Sequence, residues 1–543
     1  MSLFDRILAA RGLSGDTAKD FLQPDYDKKY DPFLLPDMEK AVDRIVLAHE
    51  RQEKVTIYGD YDIDGLTATT VMLDGLAAFG FKNVDAFIPN RFVEGYGLTI
   101  DAVETIAAQG TKLIITVDCG SLSHKEIARA NKLGVDVVVT DHHNVSDIQP
   151  EAIAVVNPKR KDHKYPFIDL AGVGVAFKLV QALQTRLPGL APGAEKWMLD
   201  LVALGTVCDV VSLKDENRIN VFWGLQVLRK TRRPGLRALM AVAKVEPESL
   251  NSRSLGFALG PRMNAAGRLE TARHALDMLL ATDNQLAYEK AEQLDTLNQA
   301  RRGDQSNILK EATLQAEMYR DLPVLVLSGA DWNHGIVGIV AAKLVEKYQK
   351  PTYVLQEMGE TSKGSARSFG GFSAVEAIRA ADDIILKGGG HTLAAGVTLP
   401  TANIEAFRKR VNEFYKSLNL TNQAQLLLPK EDVLIDDFSE VNEEFVVQLA
   451  KLEPFGSGNP EPILKINNVT VIDQRRMGSD NQHVKLEVKD SLGRRLQMLA
   501  FGAPAHFFAE PGEVVTVVFQ PTLNEWNGRR SVEGRLLHLE SDN

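Results

Sequence analysis

Cysteine is almost missing from this chain. Cys119 and Cys208 are the only two in 543 residues, too few for a disulfide framework or a four-cysteine zinc site, so a reducing compartment is expected. No run approaches the roughly 20 apolar residues of a membrane-spanning helix. No apolar stretch near the start reads as a secretory signal either, and the cytoplasm is the expected location, with no membrane partner. Internal repeats are absent too. Composition lacks the bias of a disordered or fibrous chain, with 44 % hydrophobic and 25 % charged residues. Basic side chains are not in excess, because 62 Lys and Arg stand against 72 Asp and Glu and leave a net charge of −10. That sign speaks mildly against a nucleic-acid partner unless basic residues cluster locally or metal ions mask the carboxylates.

What the sequence does have is length and alternation. A chain of 543 residues predicts about three to four domains. Residues 1–45 read as a helical segment. From Val55 apolar strands alternate with amphipathic helices (VTIYG, VDAFIP, KLIITVDCG and VDVVVTDHH are the strands), which predicts an α/β, doubly wound parallel sheet within residues 46–275. Residues 276–320 read as a connecting helix, polar from Gln285 to Met318, with Leu286, Leu294, Leu297, Ile308 and Ala312 as a thin apolar stripe. A second α/β lobe is predicted over 321–418. The remainder, 430–543, carries five short strand-like runs and predicts a small oligonucleotide-binding β-barrel.

The chemistry concentrates where strands end. Asp60, Asp62 and Asp64 follow VTIYG, Asp118 follows LIITV, and Asp141, His142 and His143 follow VDVVV. Ligands bind at the carboxyl ends of strands in an open parallel sheet. Asp209, after an apolar helix or strand, adds a further carboxylate. Mostly carboxylate donors with some imidazole suit Mn²⁺ or Mg²⁺, and the set is large enough for two ions sharing a bridging carboxylate, an arrangement that serves in-line phosphoryl displacement. Taken singly, Asp118 or Asp209 reads as a helix N-cap. Their company reverses that. GDYDIDG lacks the Glu of a calcium loop. Cys119 and Cys208 read as buried fillers, and GVGVAF at 172–177 as a site of close helix packing.

Twelve segments in order carry a resemblance: DPFLLPDMEKAVDRI, IYGDYDIDGLTAT, ITVDCG, TDHH, VNPK, LAGVGVAFKL, ALGTVCDVV, GPRMNAAGR, HGIVGIVAAKL, GSARS, GGGHTLAAG and EPFGSGNPEP. Through them the chain resembles the DHH phosphoesterase family, in particular its bacterial exonucleases specific for single-stranded DNA. The resemblance implies a DHH domain, a long connecting helix, a DHH-associated domain and an oligonucleotide-binding barrel. It implies 5′→3′ degradation of single-stranded DNA with two Mn²⁺ or Mg²⁺ ions, in repair and recombination. As partners it implies single-stranded DNA, a single-strand-binding protein and a RecQ-type helicase, with the enzyme itself a monomer. By position the resemblance implies that Asp62 holds one ion, Asp64 the other, and Asp118 bridges them, while His142 and Asp209 complete the donor set of the second ion. Asp141 orients an imidazole and His143 faces the scissile phosphate. Some members have a His at the place of Tyr58. Either Asp60 substitutes for it, or the first ion has fewer protein ligands.

A terminal phosphate needs Arg and backbone N–H donors. PRMNAAGR offers Arg262 and Arg268, GSARS offers Ser365 and Arg367, and GGGHTLAAG offers Gly389, Gly390 and His391; the resemblance favours Arg268, Ser365 and Arg367. In the tail, Arg475, Arg476, Arg494, Arg495, Arg529 and Arg530 accompany Phe501, Phe519 and Trp526, as a groove for phosphates and stacked bases would, and removal of the tail from about 463 is expected to spare the maximal rate. The alternatives are a phosphodiesterase for short oligonucleotides or cyclic dinucleotides, which needs no third domain, and an inactive DNA-binding scaffold, for which a costly carboxylate cluster has no use.

Overall fold

The computed structural model describes residues 1–421, 423–478, 481–503, 507–526 and 528–541. Two compact units divide the chain, one formed by 1–264, 272–291 and 429–543, the other by 265–271 and 292–428.

In the first unit, helices α1 (Leu3–Ala10), α2 (Gly15–Leu22) and α3 (Met38–Glu50) precede strand β1 (Val55–Gly59). Strands β2 (Val84–Phe87), β3 (Leu113–Val117), β4 (Asp136–Thr140) and β5 (Ala154–Val156) complete a wholly parallel sheet in the order β2-β1-β3-β4-β5. Every residue of β1, β3 and β5 is buried, the reason these strands read as unbroken apolar runs rather than alternating ones. The helices α4 (Ile63–Ala78), α5 (Ile100–Ala108), α6 (His124–Lys132), α7 (Gly172–Gln184), α8 (Leu199–Cys208) and α9 (Asp215–Leu228) surround it. Strand order reverses between β1 and β3, so a crevice opens at their carboxyl ends.

The second unit holds β6 (Leu325–Gly329), β7 (Thr352–Met358), β8 (Thr361–Arg367), β9 (Lys387–Gly390) and β10 (Ala394–Pro400) in a mixed sheet of order β6-β7-β8-β10-β9. GSARS is therefore mostly strand, at the end of β8, and GGG is an exposed edge strand. The 35-residue helix Asn284–Met318 starts under the cap of Asp283, which accepts from the amides of Gln285 and Leu286. Its buried stripe differs from the expected one: Ala287, Ala291, Leu294, Ile308, Ala312 and Ala316 are buried, with polar Asn298, Arg301 and Gln305 in between, while Leu286 is 43 % exposed.

The tail forms β11 (Val433–Ile435), β12 (Leu464–Met477), β13 (His483–Lys489), β14 (Arg495–Ala500), β15 (Val514–Trp526) and β16 (Arg529–Ser541). Pairing of β12 with both β13 and β15 closes a five-stranded barrel. Three of its strands have 13 or 14 residues, longer than the short runs expected, because β-bulges let them bend around the barrel. Phe519 is buried in its core, Phe501 is exposed, and the side chain of Trp526 lies outside the described part. The first two helices are not separate from this domain. Leu3, Phe4, Ile7 and Leu8 of α1 share one core with β12–β16, and Arg11 forms a two-pronged bond to Asp432 at 2.8 and 3.1 Å. Burial of such side chains contributes roughly 1.5–3 kcal/mol each, so cutting the chain at 463 strips α1 of its core as well as deleting the barrel. Truncation therefore does not isolate the contribution of the barrel.

Candidate metal centre

Sheet order makes β1, β3 and β4 direct neighbours, and their ends deliver the acidic and imidazole groups to one crevice. Asp62 is the N-cap of α4, accepting from Gly65 N at 3.2 Å. Asp118 caps nothing: it sits at φ 62°, left-handed backbone, turning its carboxylate inward. Asp209 ends α8 as its C-cap, where the helix dipole is unfavourable to an acid. The solitary-cap reading fails for both.

Three donor sets each lie within 4.8 Å: Asp60, Asp62 and Asp118; Asp118, His142 and His143; and Asp64, His142 and Asp209. His142 Nε2 stands 3.1 Å from Asp118 Oδ1, 3.5 Å from Asp209 Oδ2 and 3.7 Å from Asp64 Oδ2. Asp118 and His142 each belong to two of the sets, and Asp118 is the carboxylate that links the Asp60–Asp62 set to the imidazoles. Tyr58 is turned away, its hydroxyl donating to Gly97 O at 2.9 Å, whereas Asp60 is in the cluster.

Asp64 is held by the N-terminus of α7, accepting from Gly172 N at 2.6 Å and Val173 N at 2.9 Å. A Cβ on Gly172 would lie 2.7 Å from Cβ of Asp118, so GVGVAF does more than pack helices: its first glycine admits the helix end to the acidic cluster. Asp141 accepts from the amides of Ser121 (2.9 Å), His142 (2.7 Å) and His143 (3.0 Å), and lies 2.9 Å from His143 Nδ1. The imidazole it orients is thus His143, whose side chain is 37 % exposed, unlike buried His142.

The electrostatics ask for cations. Burial and the Asp62 carboxylate raise Asp60, and burial with Asp64 raises Asp118, each well above the ordinary carboxylate value. Burial and like charge push Asp64 to about 7, and burial with Asp64 and Asp62 pushes Asp209 to about 9. Burial and neighbouring His143 lower His142 to about 3, leaving its imidazole neutral and its lone pair available at neutral pH. Burial alone would raise Asp141, but its hydrogen bond with His143 and the charges of both imidazoles hold it below the usual range. Asp60 Oδ1, Asp118 Oδ1 and His142 Nε2 are buried with no hydrogen-bonding partner. Orphaned acceptors in a cluster of hard oxygen and imidazole donors fit Mn²⁺ or Mg²⁺.

A pH dependence follows. In the absence of metal, between the ordinary carboxylate value and about 7 to 9, the folded protein keeps protons that the unfolded chain has released, so stability falls as pH rises through that window. Divalent cations replace those protons. The gain in Tm on adding Mn²⁺, read by calorimetry, is expected to be larger near pH 8.5 than near pH 6. An equal or smaller gain at the higher pH would mean that other groups take the ion.

Two residues of this site have no role in the sequence reading. Asn157, at the end of β5, donates to Ser121 Oγ (2.8 Å) and to His143 O (2.9 Å), bracing the His143 backbone. Its place one residue past a buried strand was a usable signal. Tyr96 OH lies 3.0 Å from His143 Nδ1, and nothing in its loop, IPNRFVEGYG, marks it. The cysteines fill space: Cys119 is fully buried, and Cys208 packs against Leu255 O at 3.6 Å.

In the second unit, Ser365 and Arg367 project from one face of β8, next to Gly338, where an added Cβ would lie 3.2 Å from Arg367 Nη2 and 3.4 Å from Ser365 Oγ. Arg268 donates to Gly335 O at 2.9 Å, three residues before that position. Burial lowers the pKa of Arg367, whose Nη1 donates to Ala366 O. Register puts Ser365, Gly396 and Gly389 in one row, so Gly389 lies two strands, about 10 Å, from Ser365 across a glycine surface. Gly390 and His391 continue that exposed edge. Arg262, in the first unit, donates back to Ala258 O at 2.7 Å.

Comparison with known proteins agrees with this architecture. Residues 54–206 match the N-terminal domain of the DHH family, 321–417 the DHHA1 domain and 434–538 the RecJ OB domain. The chain is 38 % identical over 530 residues to the single-stranded-DNA-specific exonuclease RecJ of Bacillus subtilis, covering 96 % of this chain and 66 % of that protein. With the RecJ of Salmonella typhimurium it shares 35 % identity, covering 92 % of this chain and 89 % of the relative. The crystal structure of Thermus thermophilus RecJ with Mn²⁺ superposes with a TM-score of 0.83 at 30 % identity, over 99 % of this chain and 76 % of that one. A DHH domain with paired acidic clusters, a DHHA1 domain and a RecJ OB barrel thus follow one another in a single chain, and the chain belongs to the RecJ family.

Proposed function

We propose that this protein is a metal-dependent exonuclease that degrades single-stranded DNA 5′→3′ by phosphodiester hydrolysis. The observation that carries the reading is the convergence of Asp60, Asp62, Asp64, Asp118, His142 and Asp209 around orphaned buried acceptors. Asp60, Asp62 and Asp118 would hold one Mn²⁺ or Mg²⁺ ion, and Asp118, Asp64, His142 and Asp209 the other. Bound there, the ions supply a water activated for attack and positive charge against the phosphate oxygens. Gly172 and Val173 amides fix the Asp64 carboxylate, and neutral His142 presents its lone pair without a proton to displace. His143 differs. Its Nδ1 side is taken by Asp141 and Tyr96, the Asp141 carboxylate raises its pKa despite burial, and Nε2–H is left to donate to the phosphate or to the departing oxygen.

In this reading Arg268, Ser365 and Arg367, beside the start of the helix Val337–Tyr348, bind the terminal 5′ phosphate, and the exposed edge at Gly389, Gly390 and His391 lets the chain end pass. Arg262 contributes along the strand. The arginines of the barrel bind the strand downstream, a polymer track that a dinucleotide substrate would not use. The enzyme acts as a monomer in the cytoplasm, in repair and recombination, taking strands from a RecQ-type helicase and a single-strand-binding protein.

The test uses strands labelled at either end, with 5′-phosphate or 5′-hydroxyl, in Mn²⁺ or chelator. Arg367→Ala is expected to slow the 5′-phosphorylated substrate by about 10²-fold, the loss typical of one charge-assisted phosphate contact, and the 5′-hydroxyl substrate far less. Equal losses on both, or attack from 3′ ends or within circles, would overturn the end-reading assignment.

A further inference from the structure

Past Asp209 the chain takes an unusual path. Val210, β-branched, has φ 63°, a conformation such residues rarely adopt. What holds the next residues comes from the barrel domain. Leu213 N donates to Ser457 O at 2.7 Å. A Cβ on Gly456 would lie 2.7 Å from Leu213 Cδ1, and one on Gly458, at φ 74°, would lie 2.6 Å from Ser212 Oγ. Residues 456–458, just ahead of β12, are therefore moulded onto 212–214.

Both sides of this contact are anchored. Asn217 on α9 donates to Ser212 O at 3.0 Å and to Asp169 O at 2.6 Å. Arg218, 4 % exposed, donates to the carbonyls of Phe21 (2.9 Å), Leu452 (3.2 Å) and Glu453 (2.8 Å). Asn459 donates to Leu452 O and Pro454 O and accepts from Arg11 at 2.8 Å. A general tether between domains needs only buried area. Here the contact falls within four residues of a carboxylate in the metal cluster.

We infer that the barrel-domain loop 456–458 positions Asp209: by clamping 212–214 it fixes the turn at Val210 and so holds the Asp209 carboxylate 3.5 Å from His142 Nε2. This rests on the reading of Asp209 as a metal ligand. The barrel then contributes to the metal site through Ser457 and Gly458, positioning residues that touch neither ion nor DNA.

The experiment measures Mn²⁺ binding to the full chain without DNA, by the electron paramagnetic resonance of the free ion, with single-strand binding in chelator measured alongside. Gly458→Val is expected to weaken one Mn²⁺ site about 10-fold, the usual effect of losing an outer support of a ligand, with DNA binding unchanged and the rate recovering at high Mn²⁺. Should Gly458→Val melt early, Leu213→Ala, which removes the side chain seated on Gly456, carries the same expectation. Wild-type Mn²⁺ binding in a folded loop variant, or a loss confined to DNA binding, overturns the inference. Asp209→Asn separates the two levels. If it loses the site while the loop variants keep theirs, the positioning role alone falls; if it binds Mn²⁺ as the wild type does, the ligand assignment falls and the inference with it.

Discussion

Asp118→Ala is expected to lower cleavage of single-stranded DNA by on the order of 10³-fold or more while leaving single-strand binding in chelator near the wild-type level. Asp118 is the one carboxylate common to the Asp60–Asp62 set and the His142–His143 set, and its Oδ1 is buried with no hydrogen-bonding partner. Removing it disrupts the donor sets of both ions at once. Folding should survive, because its loss relieves like-charge repulsion in a buried cluster rather than breaking a hydrogen bond. Single-turnover rates and calorimetry on the purified variant decide the matter. Turnover within tenfold of wild type in Mg²⁺, or a loss of DNA affinity as large as the loss of rate, would end the bridging assignment.

The second large effect is expected at the Asp141–His143 pair. Asp141→Asn replaces a carboxylate that accepts from three backbone amides and the imidazole of His143 by an amide whose NH₂ faces donors. His143 then loses both its orientation and the hydrogen-bonded charge that raises its pKa against burial. A fall in kcat of about 10²-fold is expected, with KM for DNA unchanged, and a similar fall for His143→Gln. Since Asp141 acts through His143, the double variant should be little worse than either single one. Multiplying losses would show that Asp141 has a separate task, and the most direct would be support of the His142 amide.

Asp60, Asp62, Asp64, Asp118, Asp141, His142 and His143 were legible because they lie just past runs of mainly apolar strand residues, and chain direction alone puts such residues at one edge of a parallel sheet. Their grouping was not. The bland reading of Asp118 as a helix cap falls to a backbone angle, φ 62°, that no residue pattern announces. Asp209 joins the cluster only because α8 ends there, on an element with no strand signal. Tyr96 and Asn157 reach His143 from a loop and from the last strand, and their contacts span 47 and 14 residues of sequence. The long helix shows the same limit. Its stripe was misplaced at Leu286 because an apolar residue near a helix start predicts burial only if a neighbour covers it.

By itself the sequence determined the element types, the parallel sheet, the presence of a barrel and the kind of ion the site attracts, because periodicity, strand-end position and donor chemistry are properties of short segments. Only tertiary structure decided which carboxylates share an oxygen-lined crevice, that α7 caps Asp64 with its amides, and that α1 completes the core of a barrel more than 400 residues away. It also decided that a loop of that barrel grips the residues behind Asp209. Such contacts depend on the close approach of distant backbone, where a single Cβ at Gly172 or Gly458 would intrude, and one segment read alone contains no record of what will lie against it.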